Sequence, residues 1–598
     1  MLKFDFKKII LYSIVLFIVL FAYYVLTSNG LGNKPFYLQL RRFIPMSIIC
    51  VLTTSVILTQ TSKKFFASFA IASALWMLVY PIIYKINFYK TVPFFSHHFD
   101  IVFACYSFVG LTSLSIIALC FHLEKIWRIL LSFVQLFLIT IPILEIIYRL
   151  YYGTAISEAA ILSIYQTNKE EAKEFIMQNI GYGGIFAAII LVICCFAFLY
   201  VLNTKNLQLI NKAKLAKKQL IFLFIAGITA TVYSFTNALP QTGLFQLNTD
   251  VRNYFSAIQK FKSYHDKNYQ SLQVLHKDNL QKPHTIILVI GESASRVYMS
   301  AFNKNAYYDS TPWLKSQKDN PNFYIFPHAY SSWGQTVPSL ERALTTKNQY
   351  NDVDFNQSTT IIDIAKKAGY YTSWFSNQGT IDVADTPITL VGKTADTAIW
   401  TNQDNSVQQY DGSLLKYLKA VDPTKNNFIV LHFMGSHDNY QNRYPREFAK
   451  WGNPDVNEPV IDYHNSLYYS DYVLSQIYQY SKENLNLQAM IYFSDHGARP
   501  DYKRVADKFG FTSLRVPLFV YMADSYKKAY PQIAQNIETN HTKYFTNDLI
   551  YDLVCGLLDI QSNQYNPEQS ILSKNYKFTK ETLTTRLGKT SLAEDGED

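Results

Sequence analysis

Long apolar runs crowd the first 240 residues of this 598-residue chain and are absent from the rest. A run of about 18 or more apolar residues can cross a bilayer as a helix, because a helix pairs its own backbone polar groups where no water can. Such runs lie at 9–26, 65–84, 101–121, 126–147, 185–202 and 220–235, with a shorter one at 44–58. They predict a polytopic α-helical membrane domain over 1–240, with five to seven helices. The first run is too long for the apolar core of a secretion signal, and no small-residue cleavage site follows it. It reads as an anchor in the lipid bilayer.

Charge divides at the same place. Residues 1–240 hold 20 of the 55 Lys and Arg but only 8 of the 45 Asp and Glu. The net charge of +10 therefore belongs to the apolar half, and the soluble half is near neutral, which argues against a nucleic-acid partner. Lys205, Lys212, Lys214, Lys217 and Lys218 crowd an acid-free stretch just before the last span. Such a stretch marks the cytoplasmic side. The soluble half then emerges on the outer face, as does a helix-containing loop at 148–182. Cys555 is alone in the soluble half, so that half makes no internal disulfide even in an oxidising compartment.

Residues 241–283 are polar and mostly helix-compatible, a linker region. After Pro283 the pattern changes. "TIILVIGES", "NFIVLHFMGSH" and "QAMIYFSDHG" contain short continuous apolar runs, as strands buried on both faces do. Helical stretches such as "TIIDIAKKAG" lie between them. This alternation predicts a soluble α/β domain with a mostly parallel sheet over 284–575, followed by a polar tail at 576–598. In such sheets ligands bind beyond the carboxyl ends of the strands. Glu292, His437, Asp495 and His496 all follow those ends.

Within "SSWGQTVPSLERAL", Thr336 precedes a helix-like run with Pro338 in its first turn. A hydroxyl there serves as a helix cap or as a nucleophile held beside unpaired N–H groups. In isolation the cap is the simpler reading. Glu292, Asp495, His496 and Thr336 together offer two carboxylates, an imidazole and a hydroxyl. That set suits tetrahedral zinc, whereas caps need no shared rim. Metal coordination makes a threonine hydroxyl a competent nucleophile toward phosphorus.

The order "GES", "GQTVPSL", "AGYYTSWFSNQ", "VLHFMGSHDNYQNRYP", "NSLYYSDYVL" and "FSDHG" resembles the phosphoethanolamine transferases of Gram-negative envelopes, within the alkaline phosphatase/sulfatase superfamily. The resemblance implies a sulfatase-like catalytic domain in the periplasm on a multi-pass inner-membrane anchor. It implies Zn2+ on Glu292, Thr336, Asp495 and His496, a phosphoethanolamine intermediate on Thr336, and His437 at the phosphoryl group or a second metal. His432 lies in its strand and reads as structural. The donor would be phosphatidylethanolamine and the acceptor an envelope glycan, with lipopolysaccharide foremost. "SIYQTNKEEAKEF" resembles the family's donor-headgroup segment. Ser163, Thr167 and Glu171 are four apart and would share a helix face, with Glu171 facing the ammonium.

Two departures shape the expectation. No cysteine flanks the nucleophile, which places the chain nearer the core-sugar or glucan branch than the lipid A branch. No histidine occurs between His496 and His541, which disfavours a second permanent zinc. A sulfatase-type hydrolase is disfavoured because Thr336 stands where a modified cysteine would. A phosphoglycerol transferase shares the threonine but lacks "SNQ" and "MGSH". A non-enzymatic sensor has no reason to keep the four-residue set.

Overall fold

The structure, a computed structural model, describes residues 6–596 apart from 28–33, 61–68, 80–81, 83–94, 168, 211–216, 281–282, 379–385, 402–408 and 503–509. The chain forms two compact units, Met1–Leu162 with Phe175–Asn253, and Ser163–Glu174 with Tyr254–Asp598. In the first unit, five helices among the described residues are long and apolar enough to cross a membrane. They are Lys7–Leu26, Phe99–Cys120, Glu124–Tyr152, Gly181–Leu207 and Leu220–Gln241. The runs at 44–58 and 65–84 correspond to two shorter apolar helices, Phe43–Thr59 and Phe69–Val79. The first is the apolar part of the longer helix Lys34–Gln60, and residues 65–68, 80–81 and 83–84 of the second run lie outside the described residues. Lys212 and Lys214 lie outside the described residues.

Small residues set the helix contacts of this unit. Gly110 leaves room for Thr231, which a Cβ would strike at 2.3 Å, and Gly227 lies against Ser113, which a Cβ would crowd at 3.0 Å. Close backbone approach of this kind is how apolar helices associate where no hydrophobic effect drives them together. Trp76 packs on Phe103 at 4.6 Å, and Phe103 on Phe235 at 5.7 Å between ring centres.

The second unit is built on a seven-stranded sheet. Its strands are β1 (Thr285–Gly291), β2 (Phe323–Ile325), β3 (Tyr371–Ser376), β4 (Thr397–Trp400), β5 (Asn427–His432), β6 (Leu487–Ser494) and β7 (Leu518–Met522). Their spatial order is β2-β7-β6-β1-β5-β3-β4. The five strands from β6 to β4 are parallel, and β7 runs antiparallel to both of its neighbours. Strand β1 lies at the centre and is buried throughout. Ile286, Leu288 and Ile290 join one core cluster with Leu553 and Val554. Ile287 and Val289 join another with Val473 and Leu474 of the helix Pro459–Asn484. Alternate residues thus feed two cores, the period-2 consequence of a strand covered on both faces.

The segment read as a polar tail differs from that expectation. Leu583 and Leu592 are fully buried. Asp595 is buried beside Arg515, whose Nε donates to Asp595 Oδ2 at 2.9 Å, and Tyr330 donates to the same oxygen at 3.0 Å. Isolated leucines in a polar sequence carry no periodic signal, so only the folded contacts reveal their role. The region 241–283 holds helices, Gly243–Gln259 and Phe261–Ser271, and Phe261 stacks on Phe355 at 4.6 Å.

Arg515→Leu strands the Asp595 carboxylate in a dry site. It should cost about 3–5 kcal/mol, the range for breaking a buried ion pair. Chemical unfolding of the full chain checks this; a loss below ~1 kcal/mol returns 576–596 to the status of a loosely attached tail.

Candidate metal and nucleophile site

Strand register assembles the site. Gly291 of β1 lies beside Ser494 of β6, so Glu292 and Asp495 leave neighbouring strand ends together. His432 of β5 pairs with Ile290 on one side and Ser376 on the other, which brings 433–437 and Asn377–Gln378 to the same rim. Ser293 adopts φ of 58°, a left-handed turn uncommon for a non-glycine residue. In that turn its N–H donates to Asp495 Oδ1 at 2.9 Å and its Oγ to Glu292 Oε1 at 2.7 Å. Gly435, at φ of 50°, lies where a Cβ would sit 2.7 Å from the Glu292 carbonyl oxygen. Its lack of a side chain lets the "MGSH" turn rest on Glu292, with the Ser436 N–H donating to that carbonyl at 2.9 Å. Asp411 holds the turn by accepting from the N–H groups of Met434 (2.8 Å) and Gly435 (2.9 Å).

Thr336 opens the helix Thr336–Ala343, whose N-cap residue is Gln335, and no side chain caps it. The Thr336 hydroxyl instead donates to Glu292 Oε2 at 3.0 Å and lies 3.4 Å from His496 Nε2. Thr336 thus faces the cluster and does not cap its helix. Ser339 donates to the Asp495 carbonyl at 2.7 Å. Asn547 Nδ2 lies 2.9 Å from Ser339 Oγ and 2.7 Å from the same carbonyl. These bonds lace the helix Thr336–Ala343 to the strand end carrying Asp495 and His496. Asn547 is 50 residues beyond the "DHG" motif, and no local pattern in the sequence signals it.

Glu292, Asp495 and His496 are buried and place one ligand atom each within 4.8 Å of the others. His496 Nε2 lies 3.3 Å from Glu292 Oε1 and 3.4 Å from Asp495 Oδ2. Its Nδ1 is 3.0 Å from the Gly497 carbonyl, an acceptor that orients the ring and holds the Nδ1 proton. Asp495 Oδ2 is buried with no hydrogen-bond partner. Burial pushes the Asp495 carboxyl up to about 7, and the neighbouring Glu292 charge adds to the rise. Burial acts upward on Glu292 too, but the hydrogen bond and charge of His496 outweigh it and hold that carboxyl well below its ordinary range. Two buried carboxylates this close repel unless a proton or a cation stands between them. A divalent cation satisfies the orphan oxygen and both carboxylates at once, and the two-carboxylate, imidazole and hydroxyl set fits zinc.

His437 is in the turn beyond Gly435. It is near enough to Glu292 for their charges to interact, and its Nδ1 is buried without a hydrogen-bond partner. It is not among the three clustered ligands. His432 Nδ1 lies 3.3 Å from Ser376 Oγ, and burial pushes its pKa down to about 4, so it packs as a neutral group. Gln378 of "SNQ" donates to Glu292 Oε2 at 3.2 Å and to the Phe433 carbonyl at 2.9 Å. The motif stood out in the sequence, but this contact did not.

The 163–174 segment belongs to the same unit as the site. Ser163 Oγ accepts from Gln335 Nε2 at 2.7 Å, one residue before Thr336. The single helix face expected for Ser163, Thr167 and Glu171 is interrupted. Helices Glu158–Gln166 and Lys169–Asn179 are separate, and the Thr167 hydroxyl donates to the Ser163 carbonyl at 2.6 Å. Such a side-chain bond competes with the helical ladder. The side chain of Glu171 lies outside the described residues. Glu174, three residues on, meets Arg443 Nη2 at 2.8 Å, and Arg443 Nε donates to the His437 carbonyl at 3.3 Å.

Residues 284–558 match the sulfatase family. The chain is 24% identical over 473 residues to phosphoethanolamine transferase EptC of Escherichia coli (strain K12), covering 72% of this chain and 80% of EptC. It is 25% identical over 488 residues to phosphoethanolamine transferase CptA of Salmonella typhimurium, with the same coverage of 72% and 80%. The integral membrane protein lipooligosaccharide phosphoethanolamine transferase A from Neisseria meningitidis aligns with a TM-score of 0.52 at 17% identity. That alignment covers 84% of this chain and 98% of the other, so the fold is shared across both the helical and the sulfatase-like parts.

Asp495 also sets a pH test. Its folded pKa is raised, so in the metal-free protein its contribution to stability is present at low pH. That contribution is lost as pH rises from about 4 toward the folded value of about 7. A divalent cation takes the place of the proton and should abolish the loss. Thermal melts of the chelated and zinc-loaded protein between pH 5 and 8 should therefore diverge as pH rises. Parallel curves would mean that no cation sits on this cluster.

Proposed function

We propose that this chain, a homologue of the phosphoethanolamine transferases that carries a sulfatase-family domain, moves phosphoethanolamine from phosphatidylethanolamine to an envelope glycan. Lipopolysaccharide is the acceptor favoured, and Thr336 carries the group between donor and acceptor. The observation that supports this most is the Thr336 hydroxyl, aimed at a buried carboxylate–imidazole cluster with an orphan oxygen instead of capping its own helix. Glu292, Asp495, His496 and Thr336 would hold zinc. When bound, it supplies Lewis acidity and neutralises phosphoryl charge.

Each residue then has a task. Glu292 Oε2 accepts the hydrogen bond of the Thr336 hydroxyl and orients its oxygen for attack. The Thr336 Oγ–P bond forms as the P–O bond to diacylglycerol breaks, and the proton that Thr336 gives up through Glu292 Oε2 passes to the leaving alkoxide, releasing diacylglycerol. The unpaired N–H groups at the start of Thr336–Ala343 favour the resulting anion. His437, with its buried unpartnered Nδ1, is positioned to meet a phosphoryl oxygen. A glycan hydroxyl then attacks phosphorus and frees Thr336. Ser163, Thr167 and Glu171 are assigned to the donor headgroup, and the Gln335–Ser163 bond brings that segment beside the nucleophile. The acid-free lysine stretch before the last span supports a multi-pass inner-membrane protein with its catalytic domain in the periplasm.

Thr336→Ala should reduce transfer to background while leaving the chain folded, and peptide mass spectra of the wild type should show phosphoethanolamine on Thr336. An adduct elsewhere, or near-normal activity in the variant, sinks the covalent route. Elemental analysis after dialysis should find about one zinc per chain, as one closed ligand set allows; a stable value near two points to His437 as a further ligand. Glu171→Gln should raise the apparent Michaelis constant for the donor more than it lowers turnover of bound donor. Unchanged saturation in mixed micelles removes Glu171 from the donor site.

A further inference from the structure

The proposed reaction leaves unused a buried polar cluster in the membrane half. Helices Phe95–Cys120 and Glu124–Tyr152 are joined by a short turn at 121–123, so residues equally far from that turn lie level with one another. Asp100 and Glu145 are such a pair, near the end remote from the turn. Each is 1% exposed. Asp100 Oδ2 accepts from the Gly243 N–H at 3.0 Å, and Glu145 Oε1 from the Ile156 N–H at 3.2 Å. Their second oxygens, Asp100 Oδ1 and Glu145 Oε2, are buried without hydrogen-bond partners, and so is Nη1 of Arg149, one turn along from Glu145. Glu145 lies within electrostatic reach of both Asp100 and Arg149.

Ionisable groups in a spanning helix are costly and mark sites where something answers them. The orphan oxygens of Asp100 and Glu145, with the orphan Nη1 of Arg149 one turn along, leave room for a ligand to answer them. Tyr148, Tyr151 and Tyr152 pack together at this end of the helix, at 4.6 and 4.7 Å between ring centres, as aromatic residues do at the headgroup level. A metal cation would satisfy the carboxylates and leave Arg149 facing added positive charge. An anionic headgroup would satisfy Arg149 alone. A quaternary ammonium has no proton to donate. A zwitterion with a primary amine answers all three at once.

We propose that Asp100, Glu145 and Arg149 form a headgroup site for an aminophospholipid, its ammonium donating to the two carboxylates and its phosphate accepting from the guanidinium. Phosphatidylethanolamine is the lipid of this chemistry, a choice that rests on the proposed donor. The site is distinct from the 163–171 segment and holds the lipid without reacting with it.

The test uses the delipidated full-length protein in detergent, titrated with phosphatidylethanolamine, phosphatidylcholine or phosphatidylglycerol and read by native mass spectrometry. A Glu171→Gln background removes the contribution of the assigned donor segment. Phosphatidylethanolamine should be retained over phosphatidylcholine by about ten-fold, the worth of one charge-assisted hydrogen bond. Asp100→Asn and Glu145→Gln should each erase that preference, and Arg149→Gln should weaken phosphatidylethanolamine and phosphatidylglycerol alike. Equal retention of the two zwitterionic lipids by the background protein overturns the site, as does an unchanged preference in both carboxamide variants. If those variants fail to fold, the headgroup comparison on the unmodified cluster decides. Thr336→Ala should retain the lipid while losing transfer. Selective retention by a wild type that transfers nothing would sink the transfer reading and leave this site standing.

Discussion

Two carboxylates, Glu292 and Asp495, leave adjacent strand ends into a space closed to water, with His496 between them. That juxtaposition is what the rest of the catalytic domain is organised around. Buried like charges are unstable unless shared with a proton or a cation. The orphan Asp495 Oδ2 shows that the protein itself does not complete the arrangement. Cation demand, the aim of Thr336 and the opposite pKa directions of the two acids all follow from this one constraint.

Holding such a cluster requires support from parts of the chain far apart in sequence. Ser293 closes the turn between Glu292 and Asp495, Gln378 adds a second donor on the Glu292 oxygen that faces Thr336, and Asn547 ties Ser339 to the Asp495 carbonyl. Asp411 fixes the turn that lies over Glu292. A site placed on strand ends and braced by bonds of this kind keeps its geometry when charge develops, which is where preorganisation contributes to rate.

The membrane half follows the same physical rule in a less forgiving solvent. Buried polar groups there are paired where the protein provides partners: Asn203 Nδ2 donates to Gln135 at 2.8 Å and Ser132 at 3.0 Å, although Asn203 Oδ1 has none. Where it does not, at Asp100 and Glu145, each carboxylate uses one oxygen and leaves the other open.

Local pattern alone was enough to pick out the apolar runs, five of which form helices long and apolar enough to cross a membrane among the described residues, together with the doubly covered strands and the acids and histidines at their ends. Hydrophobic length and period are properties of neighbouring residues and need no partner to be read. It also placed Thr336 at a helix start, but could not say which way its hydroxyl turns, because that depends on Glu292, 44 residues away. Other features depended on contacts of longer range still. Leu583, Leu592 and Asp595 turn a polar stretch into part of the core through Arg515 and Tyr330, and Asn547 reaches the site across 52 residues. The break after Gln166 separates three residues that simple helical spacing aligned. Sequence determined which chemistry the strand ends could carry; tertiary structure decided which groups meet, since a hydrogen bond between distant residues leaves no period in the chain.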